Sequence, residues 1–270
     1  MNDKSSNSHS TRESGNPQST DTARLLRLVE ELTGYPVQVG TTDSAAGDAE
    51  MMSAAPAHPV HLVNVSRRNL RVADYIVALQ CSMLLTMWSH PAGVPQFRLV
   101  TDKVAYAIRK ASSWKGLARL PGSRAEQIGQ TMVNGLLHQL LSTPSEMIAI
   151  EHCYNECPSL RQMQAEAVSA SLRRNTETLK PEIKELAPPD IYEGNLAMCA
   201  TLASLWCQLI GNDVAMIPYK SVGIEGRAAI LLQKFRASSG TLGQRSVATV
   251  DAWAEELGLR SLYEWAFRPK

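Results

Sequence analysis

The chain has 270 residues, 44% of them hydrophobic, and 27 Lys and Arg stand against 26 Asp and Glu. This length and apolar content suffice for one large domain or two small ones, and a net charge of +1 argues against a surface devoted wholly to nucleic acid or acidic lipid. No two of the six histidines are spaced as HxH or HxxxH, and the five cysteines are scattered. The pattern therefore lacks the commonest zinc spacings and a disulfide framework, and it predicts a cytoplasmic protein with reduced thiols.

The N-terminal segment is polar. Residues 1–22 contain nine Ser and Thr and no strongly apolar side chain after Met1, which is unlike a signal-peptide core. This composition predicts a disordered tail, followed by a single domain over residues 23–270. The uncharged stretch of residues 194–212 carries several amide and hydroxyl side chains, so we expect a buried helix there and no membrane span.

The first half of the domain alternates helical and extended patterns. Apolar residues at helical spacing over 25–32 predict a helix that Gly34 ends. Residues 41–57 show no periodicity and predict a loop, whereas the β-branched run 60–65 predicts a strand. Residues 72–88 are apolar on nearly every side, which is typical of a helix buried all round.

The second half reads as a series of helices separated by prolines and glycines. Helical periodicity is found over residues 128–141, 146–157, 160–179, 194–211, 228–235 and 250–257. The pair Thr143-Pro144 predicts a break between the first two of these helices. Together the patterns predict a mostly helical α+β fold, with a small β-sheet packed on the buried central helix.

A basic stretch, residues 97–125, has a net charge of +6 and includes Tyr106 and Trp114. Such a stretch could bind phosphates of a nucleic acid, or it could dock an acidic protein partner. Its basic residues are Arg98, Lys103, Arg109, Lys110, Lys115, Arg119 and Arg124.

Cys153 and Cys157 lie four residues apart, with His152 beside the first. Two thiolates on one helix face could supply part of a metal site, and His138 could add a further ligand. The alternative is that these cysteines are small buried core residues, which is common for free cysteine.

Three segments share a pattern with a known group of proteins. They are ADYIVALQCSMLL over residues 73–85, QLLSTPSEMIAIE over 139–151 and PSLRQMQ over 158–164. They resemble bacterial zincin-type, metallopeptidase-like proteins of the gluzincin arrangement. In that pattern a strand leads into a helix ADYxxAHExxHxLR, and later segments QLxxxPxDxxIE and PxLRxxQ supply a glutamate as third zinc ligand. The match covers roughly residues 60–210 and implies a zincin-like fold.

This chain departs from the pattern where the chemistry is done. Leu79 and Met83 occupy the two histidine positions, and Gln80 occupies the general-base position. Glu151 is taken as the third-ligand position that remains, and it lies one residue after the glutamate of the quoted pattern when Pro144 is aligned. Leucine has no lone pair, a thioether is a poor Zn²⁺ ligand, and a glutamine cannot accept the proton of a metal-bound water. The resemblance therefore implies a catalytically inactive protein without a cofactor, which serves as a protein-binding regulatory or structural subunit.

Two other interpretations stay open from the sequence. Asn134 to His138 is a second degenerate copy of HExxH, thirteen residues before Glu151. An active metallopeptidase could use unconventional ligands, namely His138, Glu151, His152, Cys153 and Cys157, or the chain could bind nucleic acid through residues 98–124. If the first register is right, Leu79, Met83 and Glu151 should converge on one small pocket.

Overall fold

The computed structural model describes residues 19–43 and 47–270, so residues 1–18 of the expected tail and residues 44–46 lie outside it. The described helices are α1 (Thr20–Thr33), α2 (Ala73–Trp88), α3 (Thr101–Ser112), α4 (Gly122–Glu156), α5 (Arg161–Asn175), α6 (Pro181–Leu186), α7 (Pro189–Ile210), α8 (Ile217–Lys220), α9 (Glu225–Ala237) and α10 (Leu242–Glu256). The strands are β1 (Val37–Thr42), β2 (Ala49–Met52), β3 (His61–Ser66), β4 (Val94–Leu99) and β5 (Tyr263–Arg268). The mostly helical α+β class is confirmed.

Order begins earlier than the composition predicted. Helix α1 starts at Thr20, where the Ser19 hydroxyl accepts a hydrogen bond from the Asp21 backbone amide at 3.2 Å. Thr22 is fully buried, and its hydroxyl donates to the Asp74 carbonyl at 3.1 Å. The prediction that residues 19–22 belong to a disordered tail is therefore wrong, because a cap and a tertiary hydrogen bond hold them.

The larger sheet has the order β1-β3-β2, with β1 parallel and β2 antiparallel to the central strand β3. Strand β2 lies inside residues 41–57, where a loop was expected. Its four residues, Ala49–Met52, include no β-branched side chain, so only pairing with β3 reveals them. This sheet lies against α2, where the rings of His61 and Trp88 make an edge contact at 5.6 Å.

A second, two-stranded sheet pairs β4 with β5 in antiparallel register, from Val94 opposite Arg268 to Leu99 opposite Tyr263. Neither strand stood out in the sequence, because each is short and its partner lies far away along the chain. This pairing places the C-terminal strand beside the segment that precedes α3. The amide of Val100 also donates to the carbonyl of Leu262 at 2.9 Å.

The centre of the molecule is built from α2 and α4. Ala78, Cys81 and Leu84 of α2 are fully buried, as a helix apolar all round requires. Helix α4 runs unbroken for 35 residues through Pro144, so the predicted break there is wrong. Proline removes only one helix hydrogen-bond donor, and Thr143 and Pro144 are both buried, so packing keeps the helix continuous.

Two of the later helices begin before their apolar pattern does. Helix α10 starts at Leu242, eight residues before Val250, because Thr241 and Gln244 form a capping box. Helix α7 starts at Pro189, where proline fits the first helical turn.

One helical segment among the described residues, Arg67–Trp88, is long and apolar enough to cross a membrane, with a mean hydropathy of 1.3. In the fold, 56% of the apolar 18-residue part of this segment is buried.

Candidate functional site

Leu79 and Gln80 line a cavity of about 40 Å³ between α2, α4 and α5. Its other lining residues are Asp48, Tyr75, Ile76, Glu146, Ile150, Ala167, Val168, Ser171 and Leu202. The structure thus brings the 79–80 segment of α2 together with the 146–150 segment of α4. Met83 and Glu151 are not part of this lining, so the expected convergence of Leu79, Met83 and Glu151 on one small pocket is not found. A volume of this size holds one or two water molecules and excludes a peptide.

Glu146 is the acidic group of α4 in this cavity. Burial raises its pKa to about 7, with a smaller rise from Asp48 and an opposing effect of Arg174. Asp48 is itself held by Arg174 at 2.5 Å and by the Asn69 side-chain amide at 2.8 Å. Within residues 19–43 and 47–270, no hydrogen bond or ion pair reaches the Glu146 carboxylate. Glu146 is therefore an acid that titrates near neutral pH.

Two further polar atoms lie near Glu146. The Tyr75 hydroxyl and the Gln164 Oε1 atom are buried without a hydrogen-bond partner in the described part of the chain, while Gln164 Nε2 donates to the Ile150 carbonyl at 2.9 Å. Burial raises the pKa of Tyr75, which keeps the hydroxyl protonated. The α2 wall of the cavity thus offers two aliphatic side chains, an amide and a neutral phenol, and this donor set is poor for zinc.

Glu151 makes different contacts from those of a metal ligand. Its carboxylate pairs with Arg236 of α9 and with Arg245 of α10, the latter at 2.7 Å, and its side chain is 13% exposed. The Arg245 guanidinium also lies 4.4 Å from the Phe235 ring centroid. Glu151 therefore joins α4 to two C-terminal helices.

The carboxylate that faces Leu79 and Gln80 is Glu146, five residues before Glu151. Glu146 and Ile150 are one helical turn apart and share a face of α4, whereas Glu151 is rotated by about 100° from Ile150. Sequence reasoning missed this because the zincin resemblance assigned the carboxylate role to Glu151, although the predicted helix 146–157 already contained Glu146. The shared helical face of Glu146 and Ile150 is the signal that could have found Glu146.

His152 and Cys153 meet α2 at Ser82. The Ser82 hydroxyl lies 3.0 Å from His152 Nδ1 and 3.3 Å from Cys153 Sγ. Burial lowers the pKa of His152, so its ring is neutral at pH 7. The hydrogen bond to Cys157, together with burial, raises the pKa of Cys153. All five cysteines are buried and free.

His138 is separated from the other residues proposed as unconventional ligands. It is exposed, and it lies on the same continuous helix as Glu151, His152 and Cys153. Thirteen residues at about 1.5 Å rise put His138 roughly 20 Å from Glu151, which is too far to share one ion. In the residues that the structure describes, no group of three or more His, Cys, Asp or Glu is placed to hold a metal.

The basic residues of the stretch 97–125 are exposed. Among described residues, only Lys110 of these seven forms an ion pair, with Asp190 at 2.8 Å. Helix α3 places Lys103, Tyr106 and Lys110 on one side, since they are three and four residues apart. We call these seven residues the basic face.

Lys103, Tyr106 and Lys110 line a groove of about 640 Å³, which we call the α3 groove. Val133, Leu136 and Leu137 of α4 form its buried apolar floor. Its other walls are residues 188–191 at the start of α7 and the segment 257–262. Sequence reasoning identified the lysines but missed the groove, because its walls come from four distant segments.

Comparison of the chain with family models, with curated protein sequences and with solved structures finds no match. The fold class and the geometry of the site are therefore the observations that bear on the function of this chain.

Proposed function

We propose that this chain is a catalytically inactive, metallopeptidase-like protein that acts as a protein-binding regulatory or structural subunit. The observation that carries the proposal is the small cavity between α2 and α4. It joins the two segments that the zincin resemblance pairs, and the α2 motif positions facing it are Leu79 and Gln80. Neither side chain is a zinc ligand that a hydrolytic mechanism can use.

The basic face and the α3 groove support the protein-binding part of the proposal. Six of the seven basic side chains have no ion pair within the described ranges, so their charge is free for a partner. The adjoining groove has an apolar floor, which a nucleic-acid backbone does not need and a protein segment does. This combination favours a protein over a nucleic acid.

Metal content tests the inactive scaffold. We expect purified protein to contain far less than one zinc per chain and to cleave no peptide with or without added zinc. Stoichiometric zinc that is lost in both Glu146→Gln and Glu151→Gln, with chelator-sensitive peptide cleavage, would overturn the proposal. Glu50→Gln, at an exposed position of β2, is the matched control.

Site-specific photocrosslinking in cells tests the protein partner. A photoreactive residue at Tyr106, which is 65% exposed, should yield one discrete crosslinked protein. The same residue at Val214, which is 66% exposed and outside the groove, should not yield it. Crosslinks to nucleic acid, or the same products from both positions, would contradict the proposal.

A further inference from the structure

We infer that the α3 groove binds an acidic amphipathic helix of the partner protein. The inference rests on the proposed function and adds where the partner docks and which kind of segment it presents. Helix-in-groove recognition uses apolar side chains spaced three and four residues apart, which enter an apolar channel between helices. The α3 groove offers such an apolar lining, between α3, α4 and the first turn of α7.

The groove has the anatomy of a protein-binding site. Its floor is buried and aliphatic, while Tyr106 stands at its side with 65% of its surface exposed. Tyrosine is among the residues most often responsible for binding energy at protein interfaces, because it buries a large ring at low conformational cost. The floor and this ring would receive the apolar face of an incoming helix.

The positive charge at the groove indicates that the polar face of the bound helix is acidic. Lys103 and Lys110 line the groove, and the Lys115 ammonium lies 5.3 Å from the ring centroid of Trp114, another lining residue. Asp190 offsets part of the charge by pairing with Lys110, but Lys103 has no ion pair to a described residue. This positive charge at the groove is complementary to Glu and Asp on the polar face of an incoming helix.

The chain itself offers no obvious occupant outside the described residues. Residues 1–18 carry no Leu, Ile, Val, Phe, Tyr or Trp, so they cannot supply an apolar helix face, and residues 44–46 are too few. Neither segment fits the groove, and the occupant that we infer is a helix of another protein.

Binding of a designed peptide tests the inference. The probe is a fluorescein-labelled helix of about 14 residues, with leucines at i, i+3, i+4 and i+7 and glutamates elsewhere. Its fluorescence anisotropy should rise with the full-length protein, and its affinity should fall as salt increases. Lys103→Glu/Lys110→Glu and Ala107→Trp, which fills the groove, should each weaken binding by about tenfold or more.

The controls separate the possible failures. Arg27→Glu/Arg173→Glu changes net charge equally at exposed positions outside the groove and should leave the affinity unchanged. Circular dichroism must show that each variant is folded. Peptide binding that persists in both groove variants, or equal binding of a peptide with the same composition but scrambled leucines, would overturn the groove assignment.

A third outcome concerns the occupant itself. If the peptide fails to bind while photocrosslinking at Tyr106 still captures a protein, the helix inference is wrong and the proposed function stands. If Ala107→Trp instead abolishes self-association in sedimentation experiments, the occupant is a second copy of this chain, and a foreign partner is overturned. Binding of a small apolar anion in place of the peptide would equally overturn the inference.

Discussion

Glu146 should make the stability of the protein depend on pH near neutrality. Its pKa is about 7 in the fold and near 4.5 in an unfolded chain, so the folded protein holds this proton more tightly. The stability that Glu146 contributes is therefore complete below about pH 4.5 and is lost as pH rises through 7. At pH 8, we expect Glu146→Gln to raise the free energy of unfolding by roughly 2–3 kcal/mol.

Urea denaturation at pH 5, 7 and 8.5 measures this effect. The gain from Glu146→Gln should shrink towards zero at the lowest pH, where the glutamate is protonated in the folded state. Glu50→Gln is the control, because Glu50 is exposed on β2. A gain that is the same at all three pH values would show that proton binding at Glu146 is not the cause.

Glu151 should behave as a structural ion-pair centre. Removing its carboxylate leaves Arg245, whose side chain is 20% exposed, and Arg236, whose side chain is 40% exposed, without their shared partner. We expect Glu151→Ala to lower the free energy of unfolding by about 1–3 kcal/mol, because solvent screens the more exposed of the two pairs, and Glu151→Gln to cost less. A double-mutant cycle with Arg245→Met should show coupling, and additive effects would contradict the pairing.

At the scale of elements, α3 and α4 approach closely at one glycine. A Cβ atom on Gly129 would lie 2.3 Å from the Ser112 hydroxyl and 2.9 Å from its backbone nitrogen, so α3 would have to move. On the same helix, a Cβ on the exposed Gly135 would meet nothing within 4 Å. We expect Gly129→Ala to destabilise the protein by about 1–3 kcal/mol and Gly135→Ala to stabilise it by about 1 kcal/mol.

Thermal and urea unfolding of the two variants check this contrast. The same substitution on one helix should change the free energy of unfolding in opposite directions at the two positions. This contrast separates the effect of packing from that of helix propensity. Stabilisation by both would mean that α3 does not lie this close to α4. The α3 groove should widen in Gly129→Ala, so peptide affinity should change in this variant and stay constant in Gly135→Ala.

Sequence patterns predicted the elements that are specified by residues close together along the chain. The apolar residues of α2 and the Gly34 stop of α1 identified both helices, since burial and a left-handed cap (φ 73°) leave marks in the sequence. Strand β2 was missed because it has no β-branched side chain, and β4 and β5 were missed because their partners lie far away along the chain. The shared cavity of Leu79 and Glu146 was missed because the zincin resemblance assigned the carboxylate role to Glu151. Side-chain pairing of Glu151 with α9 and α10 depends on tertiary folding that periodicity does not encode.

At the scale of the whole molecule, the single domain predicted over residues 23–270 should unfold in one step. Helix α4 packs against α2, α3, α7 and α10, so it links the sheet side of the molecule to the C-terminal helices. Separating any of these helices exposes buried residues of α4, such as Leu140 and Met147, and therefore destabilises the others.

Two spectroscopic signals can test this cooperativity. Circular dichroism at 222 nm reports all helices, whereas tryptophan fluorescence reports sites spread over the fold, with Trp88 on α2, Trp206 on α7 and Trp253 on α10, all buried. The two urea curves should superimpose, with one midpoint. The fluorescence of Trp253→Phe still includes Trp88 on α2, whereas that of Trp88→Phe still includes Trp253 on α10. A transition at lower urea concentration in Trp253→Phe than in Trp88→Phe would therefore show that α2 unfolds before α10. That result would divide the chain at α4, and the groove and cavity variants would then affect separate transitions.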